Sequence, residues 1–299
     1  MILSSFKKKE GIKEITIEDK NYPKLLREIS NPPKILYVKG EISQNENCFA
    51  VVGTRMCSSY GKEIALEIAG NLAESGLTIV SGLAPGIDTF CHISTLERKG
   101  KTIAVLGTGI DEKSVYPQSN LKLAGKILQS GGALISEYPP GTPGSKFSFP
   151  QRNRIISGLS IGTLVIEAKQ KSGALITANW AEKQNRKIFA VPGSVYSLNS
   201  NGCHYLIKHK KAKLIESAND ILKELNLKCS NLKFEQNATG ETEEENLILE
   251  ALKEEILDVD KIIEKTKLPA SKTSGALAFL EIKGKVRNLG GNIYAISHR

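Results

Sequence analysis

The sequence predicts an α/β protein, an extended Rossmann-like, doubly wound sheet carrying a small C-terminal winged-helix domain, and three observations predict it. From Lys34 onward short β-branched runs alternate with stretches of helical spacing, as strand–helix crossovers on a buried parallel sheet require. A polar stretch over 228–243 is poor in apolar residues and breaks that pattern, as a linker does. Beyond it come three short helical patterns and two runs flanking Gly290-Gly291, which reads as a hairpin turn. The expected organisation is an N-terminal arm and first strand over 1–45. A Rossmann-like unit follows over 46–226, then a linker over 227–243 and a winged helix over 244–299.

In chain order, 34–38, 49–52, 78–81, 102–106, 133–136, 163–166 and 187–191 read as strands, buried and parallel. Between them 60–75, 87–99, 120–130, 153–159 and 174–184 have helical spacing. A further helix at 203–209 and a strand at 212–215 close the unit near Leu225. In the small domain Leu247, Ile248, Ala251 and Leu252 mark one helix and Val259, Ile262 and Ile263 a second, opened by Asp258. A third helix runs from Pro269 to Leu280, and strands at 285–289 and 292–296 make the hairpin.

Composition narrows the function classes. At 299 residues, 40% hydrophobic and 24% charged, the chain can bury a real core, which excludes disordered and fibrous classes. No apolar stretch approaches the ~18 residues of a membrane span, and the N-terminus lacks the continuous apolar run of a secretory signal, so a soluble, cytoplasmic protein is expected. Cysteines 48, 57, 91, 203 and 229 are odd in number and never form Cys-x-x-Cys, which argues against disulfides and structural zinc. Lys and Arg total 41 against 32 Asp and Glu. The excess lies entirely in 1–227, with 30 basic and 20 acidic residues, whereas 244–299 holds nine of each. A basic field of that kind suits an anionic partner such as nucleic acid.

Two catalytic patterns fail. Gly100-Lys101-Thr102 has Thr95 where a P-loop needs glycine, and it precedes a strand instead of following one. Gly158-Leu159-Ser160-Ile161-Gly162 resembles a nucleophile elbow, but the order is helix then strand, so Ser160 reads as a cap or turn residue. Three glycine turns at expected strand ends survive. They are Gly53-Thr54-Arg55, Ser81-Gly82-Leu83-Ala84-Pro85-Gly86-Ile87-Asp88 and Leu106-Gly107-Thr108-Gly109. Such turns can hold a phosphate on backbone amides, and Arg55 adds a guanidinium fork at the binding edge. A fourth loop, Ser136-Glu137-Tyr138-Pro139-Pro140-Gly141, leads through Lys146 and Phe149 into Arg152-Asn153-Arg154-Ile155-Ile156-Ser157-Gly158-Leu159-Ser160. Arg152 and Arg154 read equally well as DNA contacts or as partners of carboxylates such as Glu137 or Glu167. Asn153 could cap a helix. Of Phe147 and Phe149, two apart, one ring should face inward and one outward. Asp88 and Glu167 read as turn and cap residues.

With these motifs the chain resembles the DprA (Smf, DNA-processing) family over about residues 20–225. Further blocks at Glu167-Ala168, Ser172-Gly173-Ala174-Leu175-Ile176-Thr177, Phe189-Ala190-Val191-Pro192-Gly193 and Gly202-Cys203 fit the same pattern. The resemblance implies a non-catalytic protein that binds single-stranded DNA, protects incoming strands in natural transformation, and loads the RecA recombinase. It implies a homodimer without cofactor or metal. It also implies a strand-binding pocket in which Arg55 and the Lys-x-x-Phe element, Lys146 and Phe149, take part; the expected DNA-binding set is Gly53, Thr54, Arg55, Lys146, Phe149, Asn153 and Arg154. Sequence-neutral binding needs such cations for phosphates and an aromatic face for a base. His204 departs from the family by standing where Asn is usual. Two alternatives have other signatures. A nucleotide phosphoribohydrolase of the same fold needs an acidic residue in a PGGxGTxxE element, where this chain has Thr177. A winged-helix regulator of duplex DNA needs a cationic recognition helix, and here Lys272 stands alone near its start.

Overall fold

The computed structural model describes residues 11–227, 240–253 and 255–296, and the chain forms two compact units divided near Leu232. Most of the expected linker, and Cys229, lie outside the described residues. No helix among the described residues is long and apolar enough to cross a membrane.

The large unit is built on a nine-stranded sheet. Its strands are β1 (Ile12–Thr16), β2 (Ile35–Gly40), β3 (Cys48–Gly53), β4 (Thr78–Ser81), β5 (Thr102–Leu106), β6 (Ala133–Ser136), β7 (Gly162–Ile166), β8 (Lys187–Ala190) and β9 (Lys213–Leu214), in the order β1-β2-β6-β5-β4-β3-β7-β8-β9. From β6 to β9 every pairing is parallel. The expectation that the first strand is also parallel is corrected: β2 pairs antiparallel with both β6 and β1. Strand β1 was not anticipated, because IKEIT buries only Ile12 and carries little apolar signal. The chain builds outward from β3 to β6, then returns to the other side of β3 with β7. That reversal makes the β3/β7 edge a topological switch point, where ligands of open α/β sheets bind.

Period-two alternation loads both faces of the sheet. Ala50, Val52, Val80, Val105 and Val165 face one layer, formed by α1 (Lys24–Arg27), α5 (Ser148–Gly158), α6 (Gly173–Lys183) and α7 (Asn201–Lys208). Phe49, Val51, Ile79, Leu164 and Phe189 face α2 (Ser59–Glu74), α3 (Ile87–Glu97) and α8 (Ala218–Glu224), and α4 (Leu121–Gln129) covers Ala104, Leu106 and Leu134. Helix α5 begins five residues before the sequence expectation.

The second unit has α9 (Glu243–Leu252), α10 (Val259–Thr266) and α11 (Ala270–Ile282) packed around Ile248, Leu249, Leu252, Ile262, Leu277 and Leu280. The hairpin of β11 (Val286–Gly290) and β12 (Ile293–Ile296) is joined by the short β10 (Leu257–Asp258). This is a winged helix. Its charges are largely self-paired: Lys272 meets Glu244 at 2.8 Å, and Lys283 meets Glu245 at 2.8 Å and Glu241 at 2.9 Å.

Candidate nucleic-acid interface

The glycine turns lie at the C-terminal edge of the sheet, and several of their amides are taken by carboxylates of the protein itself. At the switch point the chain leaves β7 through Glu167, which sits at φ +49°, a left-handed conformation that is costly for a residue with a Cβ. Its carboxylate, 4% exposed, reaches the N-terminus of α2. There Oε2 accepts from the Ser58 amide at 2.9 Å and Oε1 from the Ser58 hydroxyl at 2.5 Å, while the Ser58 hydroxyl oxygen accepts from Gly61 N. A Cβ at residue 61 would stand 2.2 Å from Glu167 Oε2, so the glycine makes room for this internal anion. The helix dipole favours negative charge at that end, and the protein supplies the charge itself. At the second turn Asp88 does the same, Oδ2 accepting from the amides of Gly82 at 3.1 Å and Ala84 at 3.4 Å. Burial raises the Asp88 carboxyl from its ordinary pKa, opposed by Arg152 and those two amides. At these amides the carboxylates of Glu167 and Asp88 stand where the sequence suggested a phosphate.

The third turn serves a ring. A Cβ at Gly107 would lie 2.9 Å from Phe149 Cδ1, and one at Gly144 would lie 2.5 Å from Phe149 Cζ. Phe149 is thus wedged between two glycines, half-buried, with the Arg55 guanidinium 5.7 Å from its ring centre and the Tyr116 ring centre at 5.5 Å. The 147–149 segment is the first turn of α5, not an extended run. Ser145 Oγ accepts from the amides of Phe147 at 3.3 Å and Ser148 at 3.0 Å, and Ser148 Oγ accepts from Ser145 N at 2.9 Å. This reciprocal pair of hydrogen bonds anchors the turn that leads from Lys146 into the helix carrying Phe149. Phe147 is 72% exposed, with the Lys146 ammonium 5.1 Å from its ring centre. Arg55 and Lys146 are exposed. Two cation–aromatic pairs therefore stand at the mouth of the crevice.

The remaining expected contacts face inward. Arg154, 3% exposed, pairs in bidentate fashion with Glu137, both N···O distances being 2.7 Å, and donates to Asn31 O at 3.0 Å. Arg152, 5% exposed, donates to Gly82 O at 2.8 Å and to Val105 O, tying the ends of β4 and β5. Burial lowers its pKa to about 10, so it stays a cation beside Asp88. Asn153 accepts from Arg152 at 3.2 Å and donates to Gly173 O at 3.1 Å. Thr54 is buried and its amide donates to Glu167 O at 2.8 Å; Gly53 is partly exposed. The side chains of Thr54, Asn153 and Arg154, expected at the DNA, are thus buried and bonded within the fold. The two rings that sequence reasoning left out of the site, Phe147 and Tyr116, carry the missing exposed aromatic surface. Tyr116 could have been found only by knowing that its loop folds against Phe149.

Neither enzyme-like element becomes a site. Thr177 is 1% exposed and its hydroxyl sits 3.5 Å from Gly173 O within α6. Ser160 is buried and donates to Ile156 O at 2.9 Å. Among the described residues no group of three or more His, Cys, Asp and Glu could hold a metal ion, and Cys48, Cys57, Cys91 and Cys203 are free thiols. His204 reaches Gly193 O at 3.0 Å.

Residues 13–226 match the family model of DNA recombination-mediator protein A, and residues 233–292 match that of the DprA winged helix domain. The chain belongs to the DprA family. It is 42% identical to the DNA processing protein DprA of Bacillus subtilis over 226 residues, 75% of this chain and 74% of that protein. It is 45% identical to that of Streptococcus pneumoniae over 210 residues, 70% and 73% respectively. The solved S. pneumoniae structure superposes with a TM-score of 0.67 at 42% identity, covering 74% of this chain and 77% of that one. A Helicobacter pylori DNA processing protein A, solved for its single-stranded DNA binding mode, superposes with a TM-score of 0.64 at 29% identity, covering 72% and 95%.

Proposed function

We propose that this chain binds single-stranded DNA without base preference at the mouth of the β3/β5/α5 crevice, as a DNA-processing protein acting without catalysis. The observation that carries this reading is the paired placement of exposed Arg55 and Lys146 against the rings of Phe149 and Phe147. Cations that follow phosphates beside aromatic faces suit an unpaired strand. A small phosphorylated substrate fits the crevice less well, because Glu167 and Asp88 already occupy the amides it would need. The likeness to a protein solved for single-strand binding supports the same reading.

The test is a titration of full-length protein against a single-stranded oligonucleotide and its duplex at fixed salt. At least tenfold preference for the single strand is expected, and equal affinity would overturn the proposal. The family also supports a finer role, protection of incoming strands and delivery to the RecA recombinase by a homodimer in the cytoplasm. Two sites per dimer would raise effective concentration along one strand. Light scattering should return about twice 32.5 kDa, and RecA filaments should nucleate faster on strands carrying this protein; a monomer, or unchanged nucleation, would refute the respective part.

A further inference from the structure

A further exposed ring lies beside the Lys-x-x-Phe element. Phe149 lies against Gly107 and Gly144 and has Arg55 and Tyr116 within 6 Å of its ring centre. Tyr116 continues this stack outward. It is 52% exposed and borders a cleft of about 640 Å³ walled by Lys113, Gln118, Pro140, Pro143 and Gly144, a size within the range of small-ligand sites.

The cleft is held open by hydrogen bonds between its two walls, not by loose loops. Asp111, 5% exposed, accepts from Gly141 N at 2.6 Å through Oδ1 and from Ser114 Oγ at 2.9 Å through Oδ2. Gly109 N donates to Thr142 O at 2.9 Å. Gln118 Nε2 donates to Val115 O at 2.9 Å and Lys113 O at 3.3 Å, which fixes the loop carrying Tyr116. The walls are prolines and a glycine, the aromatic ring stands at the rim, and an exposed lysine lies beside it. A flat apolar solute with an attached phosphate matches that set.

We propose that Tyr116 is a second base-stacking platform, on which an unpaired nucleobase enters the Tyr116–Pro143 cleft while Lys113 meets its phosphate. This rests on the single-strand reading and extends it: the strand passes from Lys146 and Arg55 over the Phe149 edge and places the next base on Tyr116. A duplex is rejected because a paired base cannot turn into the cleft.

The experiment uses full-length protein, its Tyr116→Leu and Tyr116→Phe variants, an oligothymidine, and an abasic oligomer of the same length. Base–aromatic stacking of ~1–3 kcal/mol corresponds to a loss of roughly tenfold for Tyr116→Leu on oligothymidine. Tyr116→Phe should stay within twofold of the parent, and all three proteins should bind the abasic oligomer alike. A 2-aminopurine base in the strand should be quenched by the parent and by Tyr116→Phe but not by Tyr116→Leu. Unchanged binding and quenching in Tyr116→Leu would overturn the Tyr116 assignment while leaving single-strand binding intact. An equal loss on abasic and natural strands would do the same, by showing a change in fold. Failure of the parent protein to bind either oligomer would instead overturn the function on which the assignment rests.

Discussion

Burial separates the arginines available to a phosphate from those that hold the crevice together. Arg154, buried, and Glu137, half-buried, form a bidentate pair, and removing Glu137's partner leaves its charge uncompensated. Arg154→Ala should therefore lower the unfolding free energy by ~3–5 kcal/mol in urea melts, whereas Arg55→Ala should cost less than ~0.5 kcal/mol. An Arg154→Ala protein that melts like the parent but fails to bind strands would make Arg154 a DNA contact after all. His92 adds a pH dependence. It is fully buried, and burial with Arg152 nearby lowers its pKa to about 3. Thr102 Oγ1 donates to Ile79 O at 2.7 Å, so His92 Nδ1 must donate to Thr102 Oγ1, leaving Nε2 unprotonated and without a partner among the described residues. Below the unfolded pKa of ~6.5 only the unfolded chain takes up this proton. Stability from this group is thus complete above pH ~6.5 and lost by ~1.4 kcal/mol per unit as pH falls toward about 3. The His92→Asn variant should show a shallower decline between pH 6.5 and 4.5 in urea midpoints, and parallel declines would refute the assignment. At this scale Arg55 stood out from its place beside a glycine turn, and Lys146 from the family resemblance; both side chains are exposed. The plugging of α2 by Glu167 was not, because that contact spans 109 positions and no local pattern announces it.

Helix α5 shows how an element sets the site. Its early start was hidden by Pro150, which reads as a loop residue although the first helical turn tolerates proline. The Ser145–Ser148 cap fixes the turn that joins Lys146 to the helix carrying Phe149. Ser145→Ala should cost ~0.5–2 kcal/mol of stability, the usual range for a lost cap, and weaken single-strand binding severalfold through misplacement of both side chains. Loss of the stability alone, with affinity unchanged, would show that the cap does not position the site. The parallel strands were legible because both of their faces are buried, giving continuous apolar runs. The direction of β2 was not, since an antiparallel pairing leaves no distinct trace in a single strand's residues.

For the whole molecule, the strand order sets β3, β4 and β5 side by side, so that the turns after β3 and β5 bring Arg55 and Gly107 against Phe149, away from the β3/β7 switch point. The basic excess belongs to the large unit, while the winged helix carries nine charges of each sign over 244–299. Lys272, the base near the start of its third helix, is already paired with Glu244. A chain ending at Leu227 should therefore keep single-strand affinity within tenfold of the full-length protein, provided light scattering shows the same oligomer; a larger loss would place the main site in the winged helix. The strongest test removes the two exposed cations of the crevice. In the Arg55→Ala/Lys146→Ala variant, with its melting curve unchanged, the slope of log K against log salt for an oligothymidine should shrink by ~1.4, about 0.7 for each lost phosphate contact. A slope identical to that of the parent protein would contradict a DNA site at this crevice.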